Sequence, residues 1–279
     1  MYLSRLTLNP RSRDARSWLG DCNQLHKVVM AGFGQAQTPE ARAELGVLFR
    51  VEETGGGAGI SVLVQSNERP AWAIESPAVL HIDGPMELIG LEARIVDGAR
   101  FRFRLRANPT RRVHHLATLG PDLRELDTGG QWRDADDIPE HERTGIVRRL
   151  EAEGDRWWDE RPDGKRIGKR VEIRGEEERM AWLARRGADF DGFELVAARL
   201  VDGEVAAASP EDRRFWGARA DPGAALAGRK AGASLTFGTA LFEGELKVTD
   251  ETTFRHAWAS GIGPGKAFGC GLLSLAPIT

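Results

Sequence analysis

The sequence predicts an α+β protein, because strand-like and helix-like periodicities alternate along the chain and the same order of elements occurs twice. The order in each half is strand, helix, hairpin, helix, strand. This is the β-α-β-β-α-β arrangement of a ferredoxin-like domain, which the RNA-recognition motif shares. We therefore expect two tandem ferredoxin-like (RNA-recognition-motif-like) domains.

The first half begins with an apolar strand and an amphipathic helix. Residues 2–9 form the strand, and residues 25–29 carry an apolar stripe at helical spacing. Alternating segments at 47–51 and 60–64 flank a glycine-rich turn, which predicts a hairpin. Three prolines argue against a long helix between residues 69 and 98.

A strand at residues 100–107 closes this first half. Its apolar residues face one way, and every residue of the opposite face is arginine: Arg100, Arg102, Arg104 and Arg106. A solvated sheet face is the simpler interpretation, but both signs of charge usually mix on such a face. The pattern therefore favours phosphate contact, and we expect Arg102, Arg104 and Arg106 to bind RNA.

The second half repeats the plan. Residues 169–174 form a strand, residues 176–186 an amphipathic helix, and residues 193–201 another strand. Residues 235–248 then form a hairpin with its turn at Glu243–Gly244. A further helix, a loop and a final strand follow, so a second domain is complete.

The predicted domains at residues 1–112 and 164–279 flank an acidic insertion at 113–163. Residues 121–163 hold 14 Asp or Glu and 7 Arg, a local charge of −7. Since the net charge is −3, the remainder carries +4. A basic body of this kind can bind RNA through local patches although the whole chain is acidic.

Composition excludes several classes of protein. No run of about 18 apolar residues is present, so we expect no membrane span. Only 2 cysteines occur in 279 residues, so no disulfide framework is implied, and a reducing cytoplasm fits. Cys22 and His26 have the spacing of half a metal site, but zinc needs three or four protein ligands, and we expect no metal and no cofactor.

The strongest signal lies near the C-terminus, where five glycines surround a lysine in the string Gly-Ile-Gly-Pro-Gly-Lys-Ala-Phe-Gly-Cys-Gly. These residues are Gly261, Gly263, Gly265, Gly269 and Gly271, around Lys266. Helix precedes this loop and strand follows it, which is the reverse of a Walker or dinucleotide-binding loop. A flexible connector explains one glycine but explains five poorly. Glycine-rich turns form anion-binding concavities, so we expect the loop to contact a polynucleotide backbone.

This pattern resembles the glycine-rich loop of the repeat-associated RNA-processing superfamily of CRISPR systems. The longer string is similar to the CasE branch, the endoribonuclease subunit of the type I-E Cascade complex. Further segments resemble the same family: Leu6–Pro10, Phe103–Pro109, and Gly168–Val171 with Ala181–Arg186. The resemblance implies tandem ferredoxin-like domains and metal-independent endoribonuclease activity. It also implies a CRISPR repeat hairpin RNA as ligand and other Cascade subunits as partners.

The resemblance places a catalytic histidine in the helix that contains His26, and the match falls on that residue. From the residues alone, His26 lies at the edge of the apolar stripe, near a helix N-terminus that disfavours imidazolium. Neutral imidazole would then be available as a base, although a surface or structural histidine is the alternative. Lys27, Lys169 and Lys266 are candidate cations for the transition-state charge, and Lys169 with Arg170 should add RNA contacts.

In the implied reaction, the RNA 2′-hydroxyl attacks the adjacent phosphate and leaves 2′,3′-cyclic phosphate and 5′-hydroxyl ends, and the product stays bound. Asn23 stands where some family members have a tyrosine. We include Asn23 with His26 and Lys27 in the catalytic set, but an amide cannot supply a phenol proton. A non-catalytic RNA-binding subunit that caps the guide-RNA hairpin is therefore the alternative function.

Overall fold

The computed structural model describes residues 1–34, 40–54, 59–113, 125–127, 132–134, 139, 141, 158–160, 166–173, 175–201, 226–230 and 233–278. These residues form two compact bodies, one from Met1–Pro109 with Ile173–Thr279 and the other from Thr110–Glu172. The hairpin turn predicted near residues 55–58 and most of the acidic insertion lie outside the described residues.

The helices of the described ranges are α1 (Arg13–Gly20), α2 (Cys22–Ala31), α3 (Ala41–Glu44), α4 (Ile89–Glu92), α5 (Glu176–Arg186) and α6 (Glu251–Ser260). A π-helical turn at Gly187–Asp191 extends α5, and a 3₁₀ turn at Lys266–Phe268 follows α6. No helix in this part of the chain is long and apolar enough to cross a membrane.

The strands of the larger body are β1 (Tyr2–Leu8), β2 (Leu48–Thr54), β3 (Gly59–Ser66), β4 (Val79–Glu87), β5 (Arg100–Ala107), β11 (Phe193–Leu200), β12 (Leu226–Lys230), β13 (Ala233–Phe237), β14 (Ala240–Val248) and β15 (Leu273–Pro277). The smaller body contains β6 (Thr110–Val113), β7 (Glu125–Asp127), β8 (Trp132–Asp134), β9 (Trp158–Glu160) and β10 (Arg166–Glu172).

Two antiparallel sheets of the larger body have the same strand order. The first sheet is β2-β3-β1-β4, and the second is β11-β14-β5-β15. If the four strands of each domain are numbered in chain order, their spatial order across the sheet is 2-3-1-4 in both cases. This order confirms the prediction of two ferredoxin-like domains. A separate β12-β13 hairpin lies next to α2.

The assignment of β5 to the N-terminal domain, made from the sequence, is wrong. β5 lies between β14 and β15 in the second sheet, where it is the first strand of the second domain. Its apolar residues pack in the second core with Phe193, Phe242 and Phe254. The predicted first strand of that domain, β10, instead pairs with β6 and β9 in the smaller body.

The first domain differs from the second in having no helix between its third and fourth strands, β3 and β4. Residues 67–78 run between β3 and β4 without helical structure, as the prolines of this segment predict. Trp72 fills the space, because its ring packs edge-on against Phe33 at 5.9 Å between centroids. A β-carbon added at Gly32 would come within 2.3 Å of the Trp72 ring.

The predicted turn at Glu243–Gly244 is also absent, because β14 continues through it. Gly244 pairs with Ala198 of β11 on one side and with Phe103 of β5 on the other. A β-carbon at Gly244 would lie 2.0 Å from the carbonyl oxygen of Ala197, where the register of β11 shifts. This glycine therefore permits a close backbone approach rather than a turn.

Candidate active site

The loop between α6 and β15 has a left-handed backbone at each of its five glycines. The φ angles are +85° at Gly261, +76° at Gly263, +77° at Gly265, +89° at Gly269 and +90° at Gly271. A residue with a β-carbon rarely adopts such angles. The glycine pattern therefore has a conformational cause, whereas the RNA contact expected of the loop remains a prediction.

Backbone hydrogen bonds fix this loop to the second sheet. The amide of Ile262 donates to the carbonyl of Gly271 over 3.0 Å, and the amide of Gly271 donates to the carbonyl of Arg106 over 2.8 Å. The 3₁₀ turn Lys266–Phe268 lies between these bonds and contacts both α2 and β2. The loop therefore joins a strand of its own domain to a helix of the other.

Two glycines allow the loop to pack closely on β2. A β-carbon at Gly261 would lie 2.7 Å from Leu48 Cδ2, and one at Gly269 would lie 3.3 Å from Phe49 Cε2. Both distances are shorter than the usual 3.5–4.0 Å between carbon atoms, taken as an approximate range. A side chain at either position would force Leu48 or Phe49 to shift.

His26 lies on α2, which is the second helix of the chain and not the first. Asp21 caps this helix, because its carboxylate accepts hydrogen bonds from the backbone amides of Asn23 (2.9 Å) and Gln24 (3.3 Å). The buried face of α2 includes Leu25, and the adjacent His26 is half-exposed with its Nδ1 atom buried. This agrees with the predicted position at the edge of the apolar stripe.

Phe49 links His26 to the glycine loop. The imidazole and the Phe49 ring are stacked, with centroids 6.5 Å apart and an interplanar angle of 28°. Gly269 approaches the same phenyl ring. On α2, Asn23 is half-exposed and Lys27 is exposed. The structure thus brings His26 and the loop together, and the chemical roles of Asn23, His26 and Lys27 remain predictions.

Lys266 is half-buried in a group of charged side chains. Burial lowers its pKa, Arg42 and Arg186 lower it further, and Asp191 opposes them. Asp191 is itself 4% exposed and accepts two hydrogen bonds from Arg186, of 3.0 and 2.7 Å. Burial raises the pKa of Asp191, while Arg186 and Lys266 oppose that shift. Lys266 and Arg186 therefore share one buried carboxylate, and Arg42 adds a further positive charge that acts on Lys266.

The arginine face of β5 is not a surface of unopposed positive charge. Arg100 pairs with Glu245 of β14 at 3.0 Å, and Arg104 pairs with Glu243 at 3.3 Å. Arg102 is exposed, and the ion pairs of the described residues do not include it. The alternation along β5 predicts an unbroken row of positive charge, because the sequence does not show which residues lie on the neighbouring strands. RNA binding by Arg102, Arg104 and Arg106 remains a prediction.

Lys169 and Arg170 lie on β10 of the smaller body, opposite Val113 and Arg112 of β6. Their side chains lie outside the described part of the structure, so their predicted RNA contacts remain predictions. Within the described ranges, no group of three or more His, Cys, Asp or Glu residues is placed to hold a metal ion. Cys22 and Cys270 are buried free thiols, and burial raises their pKa values to about 11 and about 12.

Several residues of this region are not among the site residues predicted from the sequence. Arg42 lies in no motif, and Arg186 ends the Ala181–Arg186 segment but is not among the predicted site residues. Both arginines act on Lys266 only in the folded chain. Asn108 belongs to the Phe103–Pro109 segment but is not among the predicted site residues. Its Oδ1 atom is buried and finds no hydrogen-bond partner among the described residues, and its Cβ is 3.5 Å from a β-carbon added at Gly265.

Comparisons with known proteins cover nearly the whole chain. A family model described as CRISPR associated protein matches residues 1–277. The CRISPR-associated endoribonuclease Cse3 of Thermus thermophilus is 29% identical over 277 residues, which are 99% of this chain and 100% of that protein. The CRISPR system Cascade subunit CasE of Escherichia coli is 29% identical over 278 residues, covering 100% of both chains.

A solved structure agrees. Thermus thermophilus Cse3 bound to an RNA representing a pre-cleavage complex has a TM-score of 0.63 and 25% identity, covering 99% of this chain and 98% of that one. The match extends over both ferredoxin-like domains. The chain therefore belongs to the CRISPR-associated protein family, in the CasE branch that its glycine loop resembles.

Proposed function

We propose that this chain is a metal-independent endoribonuclease that cleaves CRISPR precursor RNA within the repeat hairpin and stays bound to the mature guide RNA. The observation that carries the proposal is the placement of His26 and the glycine loop against the same Phe49 ring. A proton-transfer group and an anion-binding loop are thus adjacent. The full-length similarity to a CRISPR-associated endoribonuclease supports this function.

The chemistry requires one proton acceptor and one proton donor. The RNA 2′-oxygen forms a bond to the adjacent phosphorus, and the bond from phosphorus to the 5′-oxygen breaks. The 2′-hydroxyl loses its proton and the leaving 5′-oxygen gains one, so the products are a 2′,3′-cyclic phosphate and a 5′-hydroxyl. In this proposal His26 transfers a proton, since imidazole is effective near neutral pH.

The phosphorane-like transition state carries more negative charge than the bound phosphate. Lys266 and the backbone N–H groups of the glycine loop would stabilise that charge. Lys266 shares the Asp191 carboxylate with Arg186, and the charge of Arg42 also acts on Lys266, so the local potential would favour an anion. Asn23 would donate a hydrogen bond and would not act as the acid.

The alternative is a non-catalytic subunit that binds the guide-RNA hairpin within a Cascade-type complex. Asn23 favours it, because an asparagine replaces the tyrosine of some family members. We propose other Cascade subunits as partners in either case, since a relative of the same length is named as one. The two free thiols agree with action in a reducing cytoplasm.

Incubation of the purified protein with its cognate repeat RNA in EDTA tests the proposal. We expect cleavage at a single position and cyclic-phosphate ends, with His26→Ala as the inactive control. Tight binding without cleavage would favour the non-catalytic function instead. Strict dependence on added Mg²⁺ would contradict the mechanism.

A further inference from the structure

Two buried polar side chains of the first sheet hold the two ends of the glycine loop. Gln65 of β3 binds the helix that leads into the loop, and Arg50 of β2 binds the residue that follows it. We infer that Gln65 and Arg50 are positioning residues that set the loop against the His26 helix. This inference rests on the proposed function for its consequence in catalysis.

Gln65 replaces a hydrogen bond that α6 lacks. In a regular helix, the amide of Ile262 would donate to the carbonyl of Trp258. Here the Ile262 amide donates to Gly271 across the loop, so the Trp258 carbonyl needs another donor. Gln65 Nε2 supplies it over 2.9 Å, and this side chain is 2% exposed. The closed shape of the loop and the Gln65 bond therefore depend on each other.

Arg50 binds the other end of the loop and a neighbouring strand. Its Nη1 atom donates to the carbonyls of Leu272 (3.0 Å) and Arg104 (2.8 Å), and its Nη2 atom donates to Ser274 Oγ (2.8 Å). Glu52 pairs with the same guanidinium. Arg50 is only 2% exposed, and a buried charge is tolerated only when it is paired and fully hydrogen-bonded. The direction of these bonds therefore defines where Leu272 lies.

The two anchors share one face of two paired strands. Gln65 lies opposite Leu48 in the β2-β3 ladder, and Arg50 is two residues further along β2. Phe49, between Leu48 and Arg50, points to the other face and stacks on His26. One short stretch of β2 therefore contacts one end of the loop through Arg50 on one face, and through Phe49 on the other face it lies between His26 and Gly269 of the loop. This arrangement couples the loop position to His26.

An apolar interface would hold the domains together without this directional control. The leucine cluster of Leu48, Leu63 and Leu272 already provides such packing between them. Leu63 is opposite Arg50 on β3, so it offers a matched control within the same interface. Leu63→Ala loosens the packing and leaves both polar anchors in place.

The test compares Gln65→Met and Arg50→Lys with Leu63→Ala and wild type. The measurements are thermal stability, the single-turnover cleavage rate at saturating RNA, and affinity for an RNA with a 2′-deoxy scissile nucleotide. Amide hydrogen exchange of residues 261–272 reports the loop without RNA. We expect both anchor variants to lose rate by roughly 10- to 100-fold, because sub-ångström misplacement is costly, with little change in affinity.

We also expect faster exchange of residues 261–272 in the anchor variants than in Leu63→Ala. Wild-type rate and exchange in a folded Gln65→Met protein would overturn the inference. An equal rate loss in Leu63→Ala would do the same, because general loosening would then explain the effect. If Arg50→Lys does not fold, Gln65→Met decides alone. If wild type binds RNA without cutting it, the proposed function fails, and hydrogen exchange still tests the anchors.

Discussion

Gly269→Ala should damage catalysis more than stability alone explains. At φ +89°, a residue with a β-carbon costs on the order of 1–2 kcal/mol relative to glycine. The new β-carbon would lie 3.3 Å from Phe49 Cε2, so the phenyl ring must move by a few tenths of an ångström. The combined loss should be about 1–3 kcal/mol, which lowers Tm by roughly 2–4 °C per kcal/mol for a chain of this size.

The catalytic consequence follows from the ring stacking. His26 lies against the Phe49 ring, so a shift of that ring changes the position of the imidazole. A misplacement of about 1 Å can cost ~10²-fold in rate, so the smaller shift here should cost on the order of tenfold. Affinity for a non-cleavable RNA should change less than the rate.

Gly98→Ala is the matched control. Gly98 has φ +81°, so the backbone cost is similar, but an added β-carbon meets no heavy atom within 4 Å. Both variants should lose comparable stability by calorimetry. Only Gly269→Ala should lose single-turnover cleavage at a temperature where both are folded. Equal cleavage rates in the two variants would refute the coupling through Phe49.

Three further predictions concern charged and titratable groups. His26→Ala should reduce the cleavage rate by ~10²–10⁴-fold with RNA affinity retained. The control His81→Ala, at an exposed histidine, should have no effect on the rate. A wild-type cleavage rate for His26→Ala would make His26 a structural residue. Lys266→Ala should weaken RNA binding near pH 7. Because burial lowers the Lys266 pKa from 10.5, wild type should lose this charge at a pH below the usual range for lysine. As the pH rises, the RNA affinity of wild type should therefore fall towards that of the alanine variant. Lys266→Arg should keep its affinity there, and parallel titration curves for wild type and alanine variant would contradict this. Replacing Arg102 and Arg104 together should lower the slope of log K against log[salt] by roughly one unit or less per phosphate contact, and an unchanged slope would assign both to solvent.

Local structure follows closely from local sequence in this chain. The helix predicted at residues 176–186 has those bounds, and the strand predicted at 100–107 does as well. The Asp250 carboxylate caps α6 as its position before the helix predicts, accepting from the Thr253 amide over 2.6 Å. These features depend on neighbours within a few residues, which periodicity and capping rules describe.

Partners distant in sequence are harder to predict. Alternation in β5 identifies its apolar side, but it does not reveal whether that side faces the first or the second core. The same limit hides Glu243 and Glu245, which neutralise Arg104 and Arg100 across the strand. Gly244 looks like a turn residue for a similar reason, since the carbonyl that requires it lies on β11.

The candidate site shows this limit most clearly. His26 and the five loop glycines carry signals in the sequence, because a motif and a resemblance mark them. The residues that join them carry no such signal. Phe49 and Arg50 form part of an ordinary alternating strand, and Gln65 lies near the end of another. Their roles depend on groups of the other domain, and these pairs become visible only when the chain is folded.

The two domains contribute complementary halves of the candidate site because they differ from each other. The first domain keeps the helix after its first strand, α2 with His26, and has an extended segment with Trp72 where its second helix would be. The second domain keeps that second helix, α6, and continues it into the glycine loop. Neither domain alone holds both the histidine and the loop. In the proposed mechanism the cleavage rate therefore depends on how the two domains are placed, and β2 and β3 contact residues 258–274 through Arg50 and Gln65.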